Sequence, residues 1–397
     1  MEIRKLTPAE YMAGEMLESL SFVFPLPDHH EEEILNKSFQ PDRWGYFDDG
    51  GKLTATLTNF DIPVYLDGQV VAARGIGGVA SDPVTRGQGH VRAMFEHLLK
   101  TDRAEGQLVS VLFPFSHAFY RKFGYELCYE HTKASFPTSA LKVFRPQVPP
   151  TARLLLPTDS MAALMPIYTA FARQYSFMAA RSEKSWERFT IDDPKKACKY
   201  WYVLSRGGTD TAYVVFSYRA GETQFERTLW VREYAFVGQD GFVDLMSFLH
   251  RFSAQAQDVQ MFLPDNLPLS SLVEDASAVE MTAAHRPMAR VLHVENVLRA
   301  MRHPQEDGAY SIYVEDAFLP ENTGCYAVHY TKAGTVSVAR CQNEADLHVS
   351  VQAFTQLVFG FMDISEAAYR PDVRIAGNRP VLEKVFVKKQ LFLEDFY

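Results

Sequence analysis

Residues Arg74 to Lys100 read RGIGGVASDPVTRGQGHVRAMFEHLLK, and this stretch decides the fold. Glycines at 87 and 89 let the backbone approach a ligand closely, and the helix expected from His90 onward presents unpaired N–H groups and a positive dipole end to an anion. Arg86 and Arg92 add full charges. Val91, Met94, Phe95, Leu98 and Leu99 fall at i, i+3, i+4, i+7 and i+8, which is one apolar face of a packed helix. A strand, a glycine turn and a core helix thus aim Arg86–Arg92 at a pyrophosphate, although the same glycines also suit an ordinary strand-to-helix turn.

Two phosphate-binding patterns are excluded by the residues themselves. A P-loop needs Lys-Ser or Lys-Thr after its last glycine, and Gly89 is followed by His90. The dinucleotide pattern GxGxxG fails because Gly87-Gln88-Gly89 is followed by His90, Val91 and Arg92. What remains is Arg-x-x-Gly-x-(small), preceded by the strand Val79-Ala80-Ser81 and by Pro83, and it resembles the acyl-CoA-binding segment of the GCN5-related N-acetyltransferases (GNAT). Val91 is larger than the Gly or Ala usual in that family, as in the enhanced-intracellular-survival (Eis) type. Phe119 to Tyr125, FYRKFGY, is similar to the Tyr-x-x-Phe-Gly-Tyr signature of that type, and Pro287 to Val294 resembles the junction into its third domain. The length of 397 residues and the final aromatic, Tyr397, also suit it, so the resemblance covers the whole chain.

Composition agrees with a globular protein of two or three domains: 47% of residues are hydrophobic and 22% charged, without the bias that marks disorder. No apolar run reaches the length of a membrane span, and acids interrupt the apolar residues of the first twenty positions too often for a secretion signal. A cytoplasmic protein without a membrane partner is therefore expected. Cys128, Cys198, Cys325 and Cys341 form no CxxC pair and no cluster with histidine, so no metal is expected and buried, reduced thiols are. A formal net charge of −9 and the absence of a basic run speak against nucleic acid and suit a cationic amine.

The expected fold class is α/β (α+β): tandem GNAT-like acyl-CoA N-acyltransferase domains followed by a sterol-carrier-protein-like α+β domain, the last implied by the resemblance. Residues 1–151 form the catalytic domain, closing at Phe144 to Pro150, with strands at Leu53–Phe60, Val64–Leu66, Gln69–Ala80 and Leu108–Phe113, a hairpin turn at Asp67-Gly68 and a helix at His90–Arg103. Residues 152–287 repeat the plan in degenerate form. Val231–Val237 reads as a strand, Gly238-Gln239-Asp240-Gly241 as the loop and Phe242, Leu245, Met246 and Leu249 as the helix face, but Asp240 puts an acid where a phosphate needs a donor. Residues 288–397 hold strands at Gly324–Tyr330, Thr335–Ala339 and Ala345–Val351, between helices at Val294–Met301 and Ala353–Phe361.

In the acetyltransferase fold two parallel strands splay apart and the freed backbone of the first pairs with the pantetheine arm. The resemblance implies Val79, Ala80 and Ser81 for that strand, and Arg86, Gly87, Gln88, Gly89, His90, Val91 and Arg92 for the pyrophosphate. It sets the backbone of Phe115 and Ser116 opposite, where Ser116 also reads as a turn residue. Acyl transfer needs a neutral amine, a donor to the oxyanion and a proton for the thiolate. The resemblance makes Tyr120 the general acid and the terminal carboxylate of Tyr397, returning to the first domain's pocket, the general base. Glu394 and Asp395 are read as partners of an ammonium substrate or as solvated charges. The implied activity is acetyl-CoA-dependent transfer to primary amines of lysine, polyamine or aminoglycoside-like acceptors, in a homo-oligomer that is a hexamer by resemblance. The alternatives are a non-catalytic CoA- and lipid-binding carrier and an acyltransferase using a longer chain.

Overall fold

The computed structural model describes residues 1–26, 42–221 and 226–395, and the chain divides into two compact units. The first comprises Met1–Tyr129 and Arg286–Lys389, and the second Glu130–His285 and Gln390–Asp395, within the described residues. No described helix is long and apolar enough to cross a membrane.

In the first unit a seven-stranded sheet runs in the order Glu2–Lys5, Asp42–Phe47, Leu53–Asp61, Ala73–Ser81, Val109–Leu112, Met288–Val291, Glu126–Leu127. Only the pair Ala73–Ser81 and Val109–Leu112 is parallel. The helix that joins them is His90–Ala104, with Met94, Phe95, Leu98 and Leu99 fully buried, so the apolar spacing reads its face correctly. Each of those side chains contributes roughly 1.5–3 kcal/mol by leaving water. Val64–Leu66 and Gln69–Val71 pair across Asp67 and Gly68, whose φ angles of 53° and 78° give the turn that twist-matched hairpins use. Lys389 ties this turn down through Asp67 at 2.8 Å.

The same unit holds a five-stranded sheet in the order Val336–Cys341, Gly324–Tyr330, Gly308–Glu315, Leu347–Ser350, Val373–Ile375. Its helix Val351–Phe359 carries Thr355, whose hydroxyl accepts from Val291 N–H at 3.1 Å, and Gln356, which donates to the Leu127 carbonyl at 2.7 Å. Phe318 and Leu319 pack in one apolar cluster with Phe95, Tyr120 and Phe123.

The second unit has its own seven-stranded sheet, ordered Thr151–Leu155, Lys199–Arg206, Thr209–Ala220, Arg227–Phe236, Asp258–Leu263, Thr132–Pro137, Glu280–Ala283. The repeat read from the sequence is real: a strand (Arg227–Phe236), a glycine turn and the helix Gly238–His250 recur in the same order. Thr132–Pro137 belongs to this sheet, whereas Met288–Val291 completes the first one. Cys128 and Cys325 are buried as expected, but Cys198 is exposed and Cys341 half-buried.

Asp102, on the helix His90–Ala104, is 1% exposed, accepts one hydrogen bond from Asn59 Nδ2 at 2.9 Å and lies 3.7 Å from Arg74 Nε. Burial pushes its carboxyl up from 3.8 to about 6, and Asn59 and Arg74 offset only part of that. The folded chain therefore holds this proton more tightly than the unfolded chain does. The stabilisation is present below 3.8 and is lost as pH rises through about 6. Asp102→Asn is expected to stabilise the protein at neutral pH by roughly 1–3 kcal/mol. Denaturant melts should show the gain vanish by about pH 4; an equal or lower neutral-pH stability contradicts this account.

Candidate active site

The parallel ladder between the two central strands is short. Ala73 to Ile76 pair with Val109 to Leu112, and Gly77 to Ser81 continue with no partner on that side. A bulge accompanies the parting: Thr56 pairs with Ala80 but Thr58 with Gly77, so Leu57 alone faces both Gly78 and Val79. Gly78 takes φ +58°, which glycine adopts without strain, and a Cβ there would lie 2.8 Å from a Glu18 oxygen. The strand thus turns away from its neighbour and opens the sheet at Val79-Ala80-Ser81.

Beyond the opening, Asp82 caps a short turn through the Val84 N–H at 2.9 Å and is held by Lys52 at 2.6 Å. Gly87 and Gly89 then take φ +85° and +87° with open space where side chains would be. The first internal bond of the following helix runs from Ala93 N–H to the Gly89 carbonyl at 2.9 Å, so the N–H groups of His90, Val91 and Arg92 have no helical partner. His90 is held in place by stacking on Tyr46 at 4.2 Å and by a hydrogen bond between Nδ1 and Thr54 Oγ1 at 2.9 Å. Among the described residues Arg86 donates to the Ser81 carbonyl, at 3.5 Å, while Arg92 shares its charge with Glu96 at 2.9 Å. Arg86 is the freer cation for an incoming anion.

These elements enclose a cleft of ≈ 740 Å³. Ten of the twelve residues expected to bind a cofactor line it: Val79, Ala80, Ser81, Arg86, Gly87, Gly89, His90, Val91, Arg92 and Phe115. Gln88 is not a lining residue, because its N–H turns in to the Thr85 carbonyl. Neither is Ser116, whose hydroxyl caps the helix His117–Arg121 through the Phe119 N–H at 3.4 Å. The sequence reading missed Ser21, Phe22, Thr85, Phe119, Lys122 and Phe123. Phe119, Lys122 and Phe123 sit at i, i+3 and i+4 inside the quoted motif, a helix-face signal that was there to use. Ser21 and Phe22 belong to the distant helix Tyr11–Phe22 and carry no such signal.

Tyr120 lies one layer in from the lining, 3% exposed, with its ring edge-on to Phe115 at 5.3 Å and to Phe119 at 5.1 Å. Burial raises its phenol above the ordinary tyrosine range, so the group stays protonated at neutral pH and is a donor. Tyr125 is fully buried and exchanges a hydrogen bond with Ser110 at 2.6 Å, a packing role.

The helix His117–Arg121, which carries Tyr120, and the turn that follows it are braced from the later part of the chain. Arg290, fully buried, donates to the Phe123 carbonyl and to Asp316. Asp316 in turn accepts from the N–H groups of Phe318 at 3.1 Å and Leu319 at 2.9 Å and from Asn322 Nδ2 at 2.9 Å. Asn322 Oδ1 accepts from Arg103, near the end of the cleft helix, at 3.1 Å. One buried ion pair therefore links the Tyr120 loop to that helix. The glycine of the motif follows from it: Gly124 has φ +82°, and a Cβ there would lie 2.7 Å from Arg290 Nη1.

The second unit repeats the opening. Val215 pairs with Glu233 and Phe216 with Val231, leaving Arg232 as a bulge, and the parallel pairing of Thr228–Trp230 with Asp258–Gln260 stops there. Asp240 occupies the first helical turn and pairs with Arg206 at 2.7 Å, as an acid unsuited to a phosphate site. Tyr397 lies outside the described residues. Of Glu394 and Asp395, read as partners of a substrate or as solvated charges, Asp395 is buried within the second unit and Glu394 is half-buried there.

Residues 2–128 match a family model described as an acetyltransferase (GNAT) domain, residues 178–291 a second model so described, and residues 294–393 a sterol carrier protein domain. No curated protein matches the chain. Among solved structures it is similar to a GCN5-related N-acetyltransferase from Anabaena variabilis ATCC 29413, with a TM-score of 0.87 and 18% identity over 100% of both chains. A protein from Enterococcus faecalis V583 described as a probable N-acyltransferase gives 0.85 and 23%, over 100% of this chain and 99% of that one. Eis1 from Mycobacterium abscessus gives 0.83 and 19%, over 100% of both. At these identities the likeness is one of fold.

Gly124→Ala is expected to cost roughly 2–4 kcal/mol, from the left-handed backbone and the collision with Arg290. Denaturant melts check it; a loss below about 0.5 kcal/mol, the scale of an ordinary surface substitution, removes the brace from the account.

Proposed function

We propose that this chain, which belongs to the GCN5-related acetyltransferases through two such domains and ends in a sterol carrier protein domain, transfers acetyl from acetyl-CoA to a primary amine in the first unit's cleft. GNAT domains use acetyl-CoA, and the observation that carries the reading is the convergence of three parts on one cavity. These are the unpaired strand edge at Val79-Ala80-Ser81, the glycine turn with Arg86 and three free helical N–H groups, and the aromatic loop around Tyr120.

Each part has a task. The edge of Gly77–Ser81 offers backbone donors and acceptors to the amides of the pantetheine arm, in the manner of an added strand. The turn takes the diphosphate through N–H groups, the dipole and the Arg86 charge. An ammonium acceptor first loses one proton to water; the neutral nitrogen then attacks the acetyl carbon and passes its second proton to the base as the tetrahedral intermediate forms. The carbon–sulfur bond then breaks, and the thiolate takes the Tyr120 proton. Phe115, 66% exposed, is the ring that gives way for the sulfur to reach the phenol. The base is the carboxylate of Tyr397, a role that rests on the resemblance. The net charge of −9 favours cationic acceptors such as lysine side chains, polyamines and aminoglycosides.

Tyr120→Phe should lower kcat by about 10²-fold or more while CoA affinity stays within twofold, since the phenol serves the leaving group and not the diphosphate. Stopped-time thiol release and calorimetry read the two quantities; unchanged turnover rejects Tyr120 as the acid. Arg86→Ala should weaken CoA binding by roughly 1.5–3 kcal/mol, the worth of one charge-assisted bond. If titration calorimetry finds the affinity of the Arg86 variant intact, the diphosphate lies elsewhere.

A further inference from the structure

Two thiols face each other at an edge of the five-stranded sheet. Cys325 is the second residue of Gly324–Tyr330 and Cys341 the last of the edge strand Val336–Cys341, and the antiparallel register sets them directly opposite. Both cysteines are free, and their thiols are in contact. Opposed residues of an antiparallel pair hold their Cβ atoms about 4.5–5.5 Å apart, and a disulfide asks for about 3.5–4.5 Å. Closing the pair thus needs a shift of about 1 Å, at the end of a strand on the sheet margin. Cys128 is fully buried on the other sheet's side and Cys198 belongs to the second unit, so neither competes for this pairing.

The two thiols are unequal, and the difference orders their chemistry. Cys341 is half-buried and meets solvent, whereas Cys325 is 7% exposed. Burial first, and then the neighbouring thiol, push Cys325 up to about 12, so it stays protonated while Cys341 reacts. The backbone around the pair is tied to the brace described above. Arg340, next to Cys341, donates to the carbonyls of Thr323 at 2.7 Å and Glu321 at 2.5 Å, and a Cβ on Gly324 would lie 2.1 Å from its Nη1. Glu321 and Thr323 flank Asn322, whose side chain joins Asp316 to Arg103. A bond between Cys325 and Cys341 therefore adds a covalent tie between the two strands that hold this turn.

We propose that Cys325 and Cys341 form a reversible oxidation site for a low-molecular-weight disulfide, RSSR, of the glutathione class, and that its closure pins the turn around Asn322. The Cys341 thiolate attacks one sulfur of RSSR, the S–S bond of the small molecule breaks, and RS⁻ leaves with the electron pair. Cys325 then gives up its proton and attacks Sγ of Cys341, which displaces the second RS⁻. The two protein thiols are oxidised, RSSR is reduced, and the two protons end on the departing thiols as 2 RSH. An excess of RSH runs the same steps backwards.

The test uses the full chain carrying Cys198→Ser, which removes the exposed thiol of the second unit. After incubation with oxidised glutathione, intact-mass and peptide mapping should find Cys325 joined to Cys341, with two hydrogens lost and no glutathione retained, and dithiothreitol should restore both thiols. Adding Cys325→Ser should trap the first intermediate, a glutathione held on Cys341. With Cys341→Ser instead, the Cys325 thiol should be lost about tenfold more slowly or not at all. Closure should raise Tm by about 2 °C or more and slow amide exchange at Asn322 and Thr323, and dithiothreitol should reverse both effects. The mapping on the intact pair reads the site even if a serine variant fails to fold. An inert Cys341, glutathione that stays on Cys341 while Cys325 is present, or equal reactivity of the two thiols taken singly overturns the site. A mapped disulfide that lowers Tm or leaves exchange at Asn322 and Thr323 unchanged overturns the pinning.

Discussion

The bulge at Gly78 and Val79 ends the parallel ladder between Ala73–Ser81 and Val109–Leu112 after four paired residues. A regular sheet would have kept those backbone groups bonded to each other, and a buried, unpaired strand edge would be costly. Here the edge borders a cleft, so its groups face a space where a polar chain can satisfy them. The glycine turn lies downstream of the strand, and the amphipathic helix locks that turn against the core. The geometry of the turn at Arg86–Arg92 is thus a consequence of where one strand stops following its neighbour.

A second constraint acts through the Tyr120 loop. Arg290 and Asp316 come from late in the chain, yet their pairing reaches the Phe123 carbonyl and, through Asn322 and Arg103, the helix behind the cleft. Phe318 lies under Arg92 at 5.4 Å and against Phe123 at 5.4 Å, so two residues of the cleft rest on one ring from the same loop. The sterol carrier part is therefore a wall of the first unit's core, whatever else it binds. A buried guanidinium at this place explains Gly124 more directly than a local turn does.

Much of this was legible in the residues. The helix at His90 was read to within one residue of its end, the strand Gly324–Tyr330 at both ends, and the cleft lining at ten positions of twelve. Periodicity and turn chemistry are local, and they suffice where an element stands against one core. The splaying of the strands was legible only through the resemblance, because Gly75, Gly77 and Gly78 carry no side-chain pattern to mark the bulge. Glu394 and Asp395 read as solvated acids or substrate partners. The burial of Asp395 depends on partners as far as 227 positions away, as for Tyr168, and no window along the chain contains both. The exchange of Thr132–Pro137 and Met288–Val291 between sheets was hidden for the same reason, since a strand's sequence does not say which edge it will join.

That exchange governs how the protein is made. The strand Met288–Val291 lies between Val109–Leu112 and Glu126–Leu127, so until residue 291 of 397 has left the ribosome the first unit's sheet has two raw margins and no brace for the segment around Tyr120. The nascent amino-terminal portion must wait, partly assembled, while the whole second unit apart from its last six residues is translated. Exposed strand margins are sticky, and a long pause with them uncovered invites chaperones. The order of synthesis thereby makes completion of the first unit one of the later events in the life of the polypeptide.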